Sequence, residues 1–256
     1  MTNLSNARIL ISNDDGIHAP GLKVLEKIAH QLSEDVWTVA PETEQSATSH
    51  SLTTRRPVYT RRFGERRVAV TGTPTDCVVV AVNKVLKDKR PDLVLSGINH
   101  GGNLAEDVLY SGTVAAAMEG ATLGVPAIAF SQTRNGDAPI DFTVAEYFLP
   151  DLIRGLHRIS WKRDLLINVN FPACAPDEVS GVRVCRQGRR DEQTGVIEGR
   201  DPGGRPYIWI GDWASDRTEA TDTDLAVIAE RGISVTPLHL DLTHSESLAP
   251  LAEALR

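Results

Sequence analysis

Short apolar runs rich in β-branched residues recur between Ile9 and Phe171, and stretches with helical spacing lie between them. This alternation is the strongest constraint on the fold. Ile9-Leu10-Ile11, Val36-Trp37-Thr38-Val39-Ala40, Pro91–Ser96, Pro126–Ser131 and Leu165–Phe171 read as strands. They are continuously apolar, as strands covered on both faces are. Leu22, Leu25, Ile28, Ala29 and Leu32 share one helical face, and the alanine-rich Thr113–Leu123 is a second helix. Thr73-Pro74-Thr75-Asp76 combines a hydroxyl cap, a proline at the first helical position and an acid in the first turn. That start predicts a third helix, running to Lys87. Strands alternating with helices imply right-handed crossovers and an α/β fold, with a Rossmann-like, doubly wound, mostly parallel sheet. Val58-Tyr59-Thr60 and Val68-Ala69-Val70, separated by the basic turn Arg61–Arg67, predict a β-hairpin inserted between the α/β units.

The pattern changes after Arg186. Residues 1–186 read as the Rossmann-like catalytic core, and 187–256 as an extended hairpin and C-terminal segment. Gly, Asp and Arg surround one β-like run, Tyr207–Ile210, before a short helix at Asp224–Arg231 and a strand at Ile233–Thr236. The stretch has too few apolar residues for a core of its own. Tyr207, Trp209 and Trp213 are better buried against another subunit, which predicts an oligomerisation arm; a hairpin folded back on its own core is the alternative.

Composition narrows the partners. With 41% hydrophobic and 24% charged residues, the 256-residue chain is of the folded class, not disordered or fibrous. A net charge of −7 argues against coating a nucleic-acid polymer or an anionic membrane. Cys77, Cys174 and Cys185 are odd in number and lack a C-x-x-C pair, which excludes a disulfide framework and a zinc knuckle. Met1–Asn6 has neither the basic nor the apolar region of a signal peptide. No apolar run approaches the roughly 20 residues of a membrane helix. The expectation is a cytoplasmic protein.

Ligands of open α/β sheets sit beyond the carboxyl ends of the strands. Three polar segments fall there: Ser12–Gly21, Thr43–Ser51, and Ser96–Asn103 continuing to Tyr110-Ser111-Gly112-Thr113. Adjacent carboxylates, Asp14-Asp15, raise one another's pKa unless a cation lies between them, and oxygen ligands select Mg²⁺ or Mn²⁺ over zinc. Ser46 and Asn99 are placed to add neutral oxygens. The other reading is plain turn chemistry, with Asp14 capping the next helix and Asp15 facing water. Gly97, Gly101 and Gly102 permit close backbone approach to an anion, and Ser111-Gly112-Thr113 opens a helix whose free N–H groups form a phosphate seat. Cation and amides together suit phosphoryl transfer. G-x-G-x-x-G, G-x-x-x-x-G-K-[ST] and G-x-S-x-G are all missing, which argues against a standard dinucleotide site, a P-loop and an α/β-hydrolase. His18, His50 and His100 lie in or beside the polar loops as candidate substrate contacts; His30 and His157 fall on helical patterns, and His239 is ambiguous.

Ile11-Ser12-Asn13-Asp14-Asp15-Gly16 with Ala19-Pro20-Gly21 resembles the opening of the SurE (survival protein E) family, metal-dependent nucleoside monophosphate phosphatases. The resemblance continues through Ala40-Pro41, Ser46, Ser49–Thr53, Gly72–Cys77, Ser96–Asn99, Gly101, Asn103, Tyr110–Gly120, Thr223-Asp224 and Val235–Leu238. It implies that Asp14, Asp15, Ser46 and Asn99 ligate one divalent ion per subunit, Mg²⁺ or Mn²⁺. It also implies that Asn103, Ser111, Gly112 and Thr113 line the phosphate pocket, and that C-terminal segments exchange between subunits of a homodimer or homotetramer. Ala47 stands where the family usually has glycine, and Glu42-Thr43-Glu44-Gln45 replaces a more basic stretch, which leaves base and polyphosphate preference open.

The expected activity is that of a 5′-nucleotidase, with 3′-monophosphates and short polyphosphate as further candidate substrates. Asp14, Asn103 and Ser111 are the expected catalytic residues: Asp14 orients or deprotonates a water, and the amides hold the remaining phosphoryl oxygens. Two rivals stand beside it. A phosphatase forming an aspartyl-phosphate on Asp14 usually has an acid two residues later, where this chain has Gly16. A metal- or nucleotide-binding protein without enzymatic activity would share the fold.

Overall fold

The first strand, β1 (Arg8–Ser12), lies in the middle of a nine-stranded sheet, and the order of its neighbours decides where a ligand can sit. The computed structural model describes residues 3–136, 138–190, 195–211 and 220–256. From β1 the chain passes through α1 (Pro20–Leu32) to β2 (Asp35–Pro41), then through the hairpin β3 (Thr60–Gly64) and β4 (Arg67–Val70). Helix α2 (Pro74–Val80) leads to β5 (Leu93–His100), and α3 (Asp107–Tyr110) and α4 (Gly112–Thr122) lead to β6 (Ala127–Gln132). Helix α5 (Thr143–His157) returns the chain to β7 (Leu165–Phe171). The remaining elements are β8 (Val182–Val184), β9 (Val196–Arg200), β10 (Pro206–Ile210), α6 (Asp224–Ala229), β11 (Ile233–His239) and α7 (Leu248–Ala254).

The sheet order is β3-β4-β2-β1-β5-β6-β7-β11-β8. Strands β4, β2, β1, β5, β6 and β7 run parallel, with Ile9 opposite Val36 on one side and Leu93 on the other. Taken alone, these six follow the Rossmann order, and the order reverses between β1 and β5. The carboxyl ends of those two strands therefore flank the crevice. Two apolar layers cover the faces. Ile9, Ile11, Leu93, Leu95, Ile128 and Phe130 pack on Leu22, Leu25 and Ile28 of α1 and Leu149 and Ile153 of α5. On the other face Leu10, Val39, Val94 and Ala127 pack on Cys77 and Val78 of α2 and on the alanines of α4. Residues alternate between the layers because successive strand side chains point to opposite faces.

Helix α2 begins as the sequence predicts: the Thr73 side chain accepts from Asp76 N–H and the Asp76 carboxylate accepts from Thr73 N–H. Its last part widens into a π-type stretch, Ala81–Val85, so the helix stops short of Lys87. The hairpin is displaced from its expected register. Arg61, Arg62 and Phe63 form strand β3 instead of a turn, and the turn narrows to Glu65-Arg66. Their exposed edge position removes the need for apolar side chains, so the hydrophobic pattern that marks buried strands was missing there.

The C-terminal segment divides in two. Strands β9 and β10 form a separate antiparallel ribbon, with Trp209 66% and Ile210 76% exposed. Trp213 lies outside the described residues. Beyond the ribbon, β11 returns to the main sheet and inserts between β7, antiparallel to it, and β8, parallel to it. Residues 187–256 are thus not uniformly peripheral: Ile233 and Val235 belong to the apolar layer of α1 and α5.

Candidate active site

The site begins where β1 ends. After Ser12 the chain turns sharply: the Asn13 side-chain amide donates to the Gly16 carbonyl, and Gly16 sits at φ +97° against the backbone of Thr43 and Glu44. Glycine is required there because an L side chain rarely adopts that φ. The turn points the Asp14 side chain into the protein, where only 5% of the residue is exposed. Its Oδ1 accepts the hydroxyl proton of Thr113, in the first turn of α4, and the Thr113 backbone N–H also bonds the carboxylate. Burial raises the Asp14 pKa and the Thr113 donors act against that rise. Asp15 is pushed up to about 6, first by burial and then by the charge of Asp14, with His100 opposing. His100 Nδ1 contacts Asp15 Oδ1.

The N-terminus of α4 closes over this pair. A Cβ on Gly112 would lie 2.7 Å from the Asp14 Cβ and 2.9 Å from its Oδ2, so only glycine lets the helix approach. Ser111 caps the helix, its hydroxyl accepting from Val114 N–H at 3.0 Å. The expected phosphate seat is therefore partly engaged: Thr113 serves Asp14 and Ser111 Oγ serves its own helix. Asn103 lies at the carboxyl ends of β6 and β7, bonded through its Nδ2 to Ser131 Oγ at 2.7 Å and through its N–H to Asn170 Oδ1 at 2.8 Å.

Asn99, at the end of β5, donates its side-chain N–H to the Gly101 carbonyl at 2.9 Å, which turns its Oδ1 away from that bond. Ser46 is the outlying member of the expected set. It is exposed and its hydroxyl donates to Glu44 Oε1 at 2.7 Å, although the adjacent Gln45 N–H bonds the Asp14 carbonyl at 2.7 Å. Gly97 has a packing role. At φ +128°, its missing side chain makes room for the Phe130 carbonyl, 2.4 Å from where a Cβ would be. Among the described residues, no three His, Cys, Asp or Glu side chains gather as a metal-binding group. This corner holds two carboxylates, with His100 on Asp15.

The histidines separate by environment. His50 Nε2 meets Glu119 Oε2 of α4 at 2.9 Å, tying the loop after Ser46 to the helix over the site. His18 packs edge-on against Phe63, 5.1 Å between ring centroids, at the β3 edge.

Several residues here were not singled out from the sequence. Asn168 and Asn170 looked like interior positions of an apolar strand. The segment after Asn103 is clamped from the C-terminal side: Asp224 Oδ2 accepts from Ala105 N–H, Gln187 Nε2 donates to the Ala105 carbonyl, and Arg190 pairs with Asp107. Asp224 is fully buried and also accepts from Gly188 and Leu225 N–H. Its pKa is raised by burial against those three bonds. The sequence named it only in the pair Thr223-Asp224, as part of the family resemblance and without a role; the threonine caps α6.

Comparison with known proteins gives a consistent picture. Residues 9–194 match the family described as Survival protein SurE. The chain is 55% identical over 250 residues to 5′-nucleotidase SurE of Paramagnetospirillum magneticum, covering 98% of this chain and 96% of that protein. It is 52% identical over 257 residues to 5′-nucleotidase SurE of Rhodospirillum rubrum, covering 99% and 98%. The crystal structure of the SurE protein from Aquifex aeolicus superposes with a TM-score of 0.84 at 37% identity, covering 97% of this chain and all of that one.

Proposed function

The chain belongs to the SurE family, and on that premise we propose that it is a 5′-nucleotidase, a phosphoric monoester hydrolase converting nucleoside 5′-monophosphates to nucleoside and phosphate. The observation that carries the reading is the Asp14–Asp15 pair at the topological switch point, with Asp14 bonded by the first turn of α4.

The donor chemistry fits a divalent ion. Burial favours protonation of both carboxylates and the charge of Asp14 adds to that at Asp15, and a cation at that corner would relieve both effects. Asp14, Asp15, the Asn99 Oδ1 and the Ser46 hydroxyl, which here bonds Glu44, would hold it. Hard oxygen ligands of this kind suit Mg²⁺ or Mn²⁺, one per subunit. When bound, such an ion polarises a phosphoryl oxygen and acidifies a water.

The protein's own groups do the rest. Asp14, held by Thr113 in one orientation, takes the proton of the attacking water. The Gly112 N–H, the Ser111 corner and the Asn103 side-chain amide hold the other phosphoryl oxygens and stabilise their growing charge. We extend the substrate range to 3′-monophosphates and short polyphosphate, the choice being set by the loop around Glu42–Ser49. The exposed β9–β10 ribbon supports assembly as a homodimer or homotetramer. A cytoplasmic location accords with three free cysteines, and among the described residues no helix is long and apolar enough to cross a membrane.

The test is phosphate release from a panel of nucleoside monophosphates with EDTA, Mg²⁺ or Mn²⁺. Release abolished by EDTA and restored by a divalent ion is expected. Tight nucleotide retention without release under every condition would return the chain to the binding-protein alternative.

A further inference from the structure

Strand β7 carries two asparagines, Asn168 and Asn170, with no exposed surface, at positions where its neighbours are leucine, isoleucine, valine and phenylalanine. Burying an amide is unfavourable unless it is hydrogen-bonded, so two in one core strand require a reason. The period of a strand puts both on the same face, and both address one residue. Asn170 Oδ1 accepts the Asn103 N–H at 2.8 Å, while the Asn103 carbonyl accepts from Asn168 Nδ2 at 2.8 Å and from Asn170 Nδ2 at 3.1 Å. Ser131, on the adjacent strand β6, accepts from Asn103 Nδ2 at 2.7 Å.

We propose that Ser131, Asn168 and Asn170 are positioning residues that fix Asn103 for phosphate binding, an inference that rests on the reading of Asn103 as a phosphate contact. The two strand amides immobilise both the N–H and the C=O of Asn103. Ser131 then sets the rotation of its side-chain amide. An asparagine amide nitrogen carries two hydrogens. Ser131 takes one and the other remains for a phosphoryl oxygen. Because β6 and β7 are core strands, the donor is presented from a rigid base although Asn103 itself lies in a loop.

The experiment compares full-length wild type, Asn103→Ala, Asn170→Ser, Ser131→Ala and the double variant Asn103→Ala/Asn170→Ser. Each is assayed for turnover of a nucleoside 5′-monophosphate with Mn²⁺ and for the shift in thermal midpoint that Mn²⁺ alone produces. Ser131→Ala removes one oxygen and no backbone bond, so it remains informative if Asn170→Ser does not fold. Each single substitution is expected to lower kcat/KM by about 10- to 100-fold, as small misplacements of a binding group do. The Mn²⁺-induced shift should stay as in wild type, since Asp14 and Asp15 lie beyond β1. In the double variant the loss should stay within about three-fold of that of Asn103→Ala, because the cradle acts only through Asn103. Losses that multiply in the double variant, or a Mn²⁺ shift abolished along with turnover, would make the cradle a general structural support and overturn the proposal. So would wild-type turnover in both Ser131→Ala and Asn170→Ser while Asn103→Ala is impaired. Full turnover in Asn103→Ala overturns the underlying reading of Asn103 and the cradle with it.

Discussion

Thr113 donates its hydroxyl proton to Asp14 Oδ1, joining the first turn of α4 to the end of β1 across 99 positions of the chain. The bond joins the backbone N–H groups in satisfying a buried carboxylate and engages its Oδ1. Thr113→Val keeps the shape and removes the donor. It should destabilise the protein by about 1–3 kcal/mol, the usual cost of leaving a buried acceptor unpaired, and lower kcat by ~10²-fold. Thermal melts and Mn²⁺-dependent turnover check the two parts; wild-type turnover in a folded Thr113→Val protein would remove Thr113 from the mechanism.

Gly112 should tolerate no side chain. A methyl group there meets the Asp14 side chain at 2.7 Å, closer than carbon atoms pack. Gly112→Ala is expected to cost about 1–3 kcal/mol through overpacking and to displace Asp14, so that turnover falls further than stability does. A variant as active as wild type would mean that the helix end can retreat from the pair.

Asp15 gives the metal-free protein a definite pH dependence. Its pKa is raised from an ordinary 3.8 to about 6 in the folded state. Between those values the folded protein holds more protons than the unfolded chain. The contribution to stability is thus fully present below 3.8 and lost as pH rises through about 6. In EDTA, the thermal midpoint of wild type should fall relative to that of Asp15→Asn as pH is raised through this window. Divalent-ion affinity should run the other way, weakening as protons compete below about 6. Parallel profiles for the two proteins would contradict the assignment.

Asp224 separates stability from turnover differently. In Asp224→Asn, Oδ1 can keep the Gly188 and Leu225 bonds while an NH₂ group confronts the Ala105 N–H. The expected result is a loss of about 1–3 kcal/mol together with reduced turnover, because the strut bears on the segment that follows Asn103. Unchanged kcat/KM in the folded variant would confine Asp224 to a structural role.

The β9–β10 ribbon should govern assembly. Trp209→Glu is expected to lower the molar mass found by light scattering toward that of a single chain. A single-chain mass already in wild type would dismiss the ribbon as an interface.

The parallel core was legible in the sequence, and so was the polar turn on which the candidate site is built. Continuous apolar runs such as Leu93–Leu95 and Ile128–Phe130 report burial on both faces, and an Asp-Asp-Gly turn after Ile9-Leu10-Ile11 marks a strand end of the kind where ligands bind. Those signals are local: each depends on residues a few positions apart, and the physics of pleat and helical pitch acts at that range. The tertiary structure decided what depends on distant partners. It set β11 between β7 and β8, made strand β3 from arginines with no apolar pattern, and engaged Ser46 with Glu44. It also gave Asn168 and Asn170 their partner in Asn103, 65 and 67 positions away. A buried polar residue has meaning only through the group it bonds, and that group is brought to it by the fold rather than by its neighbours in the chain.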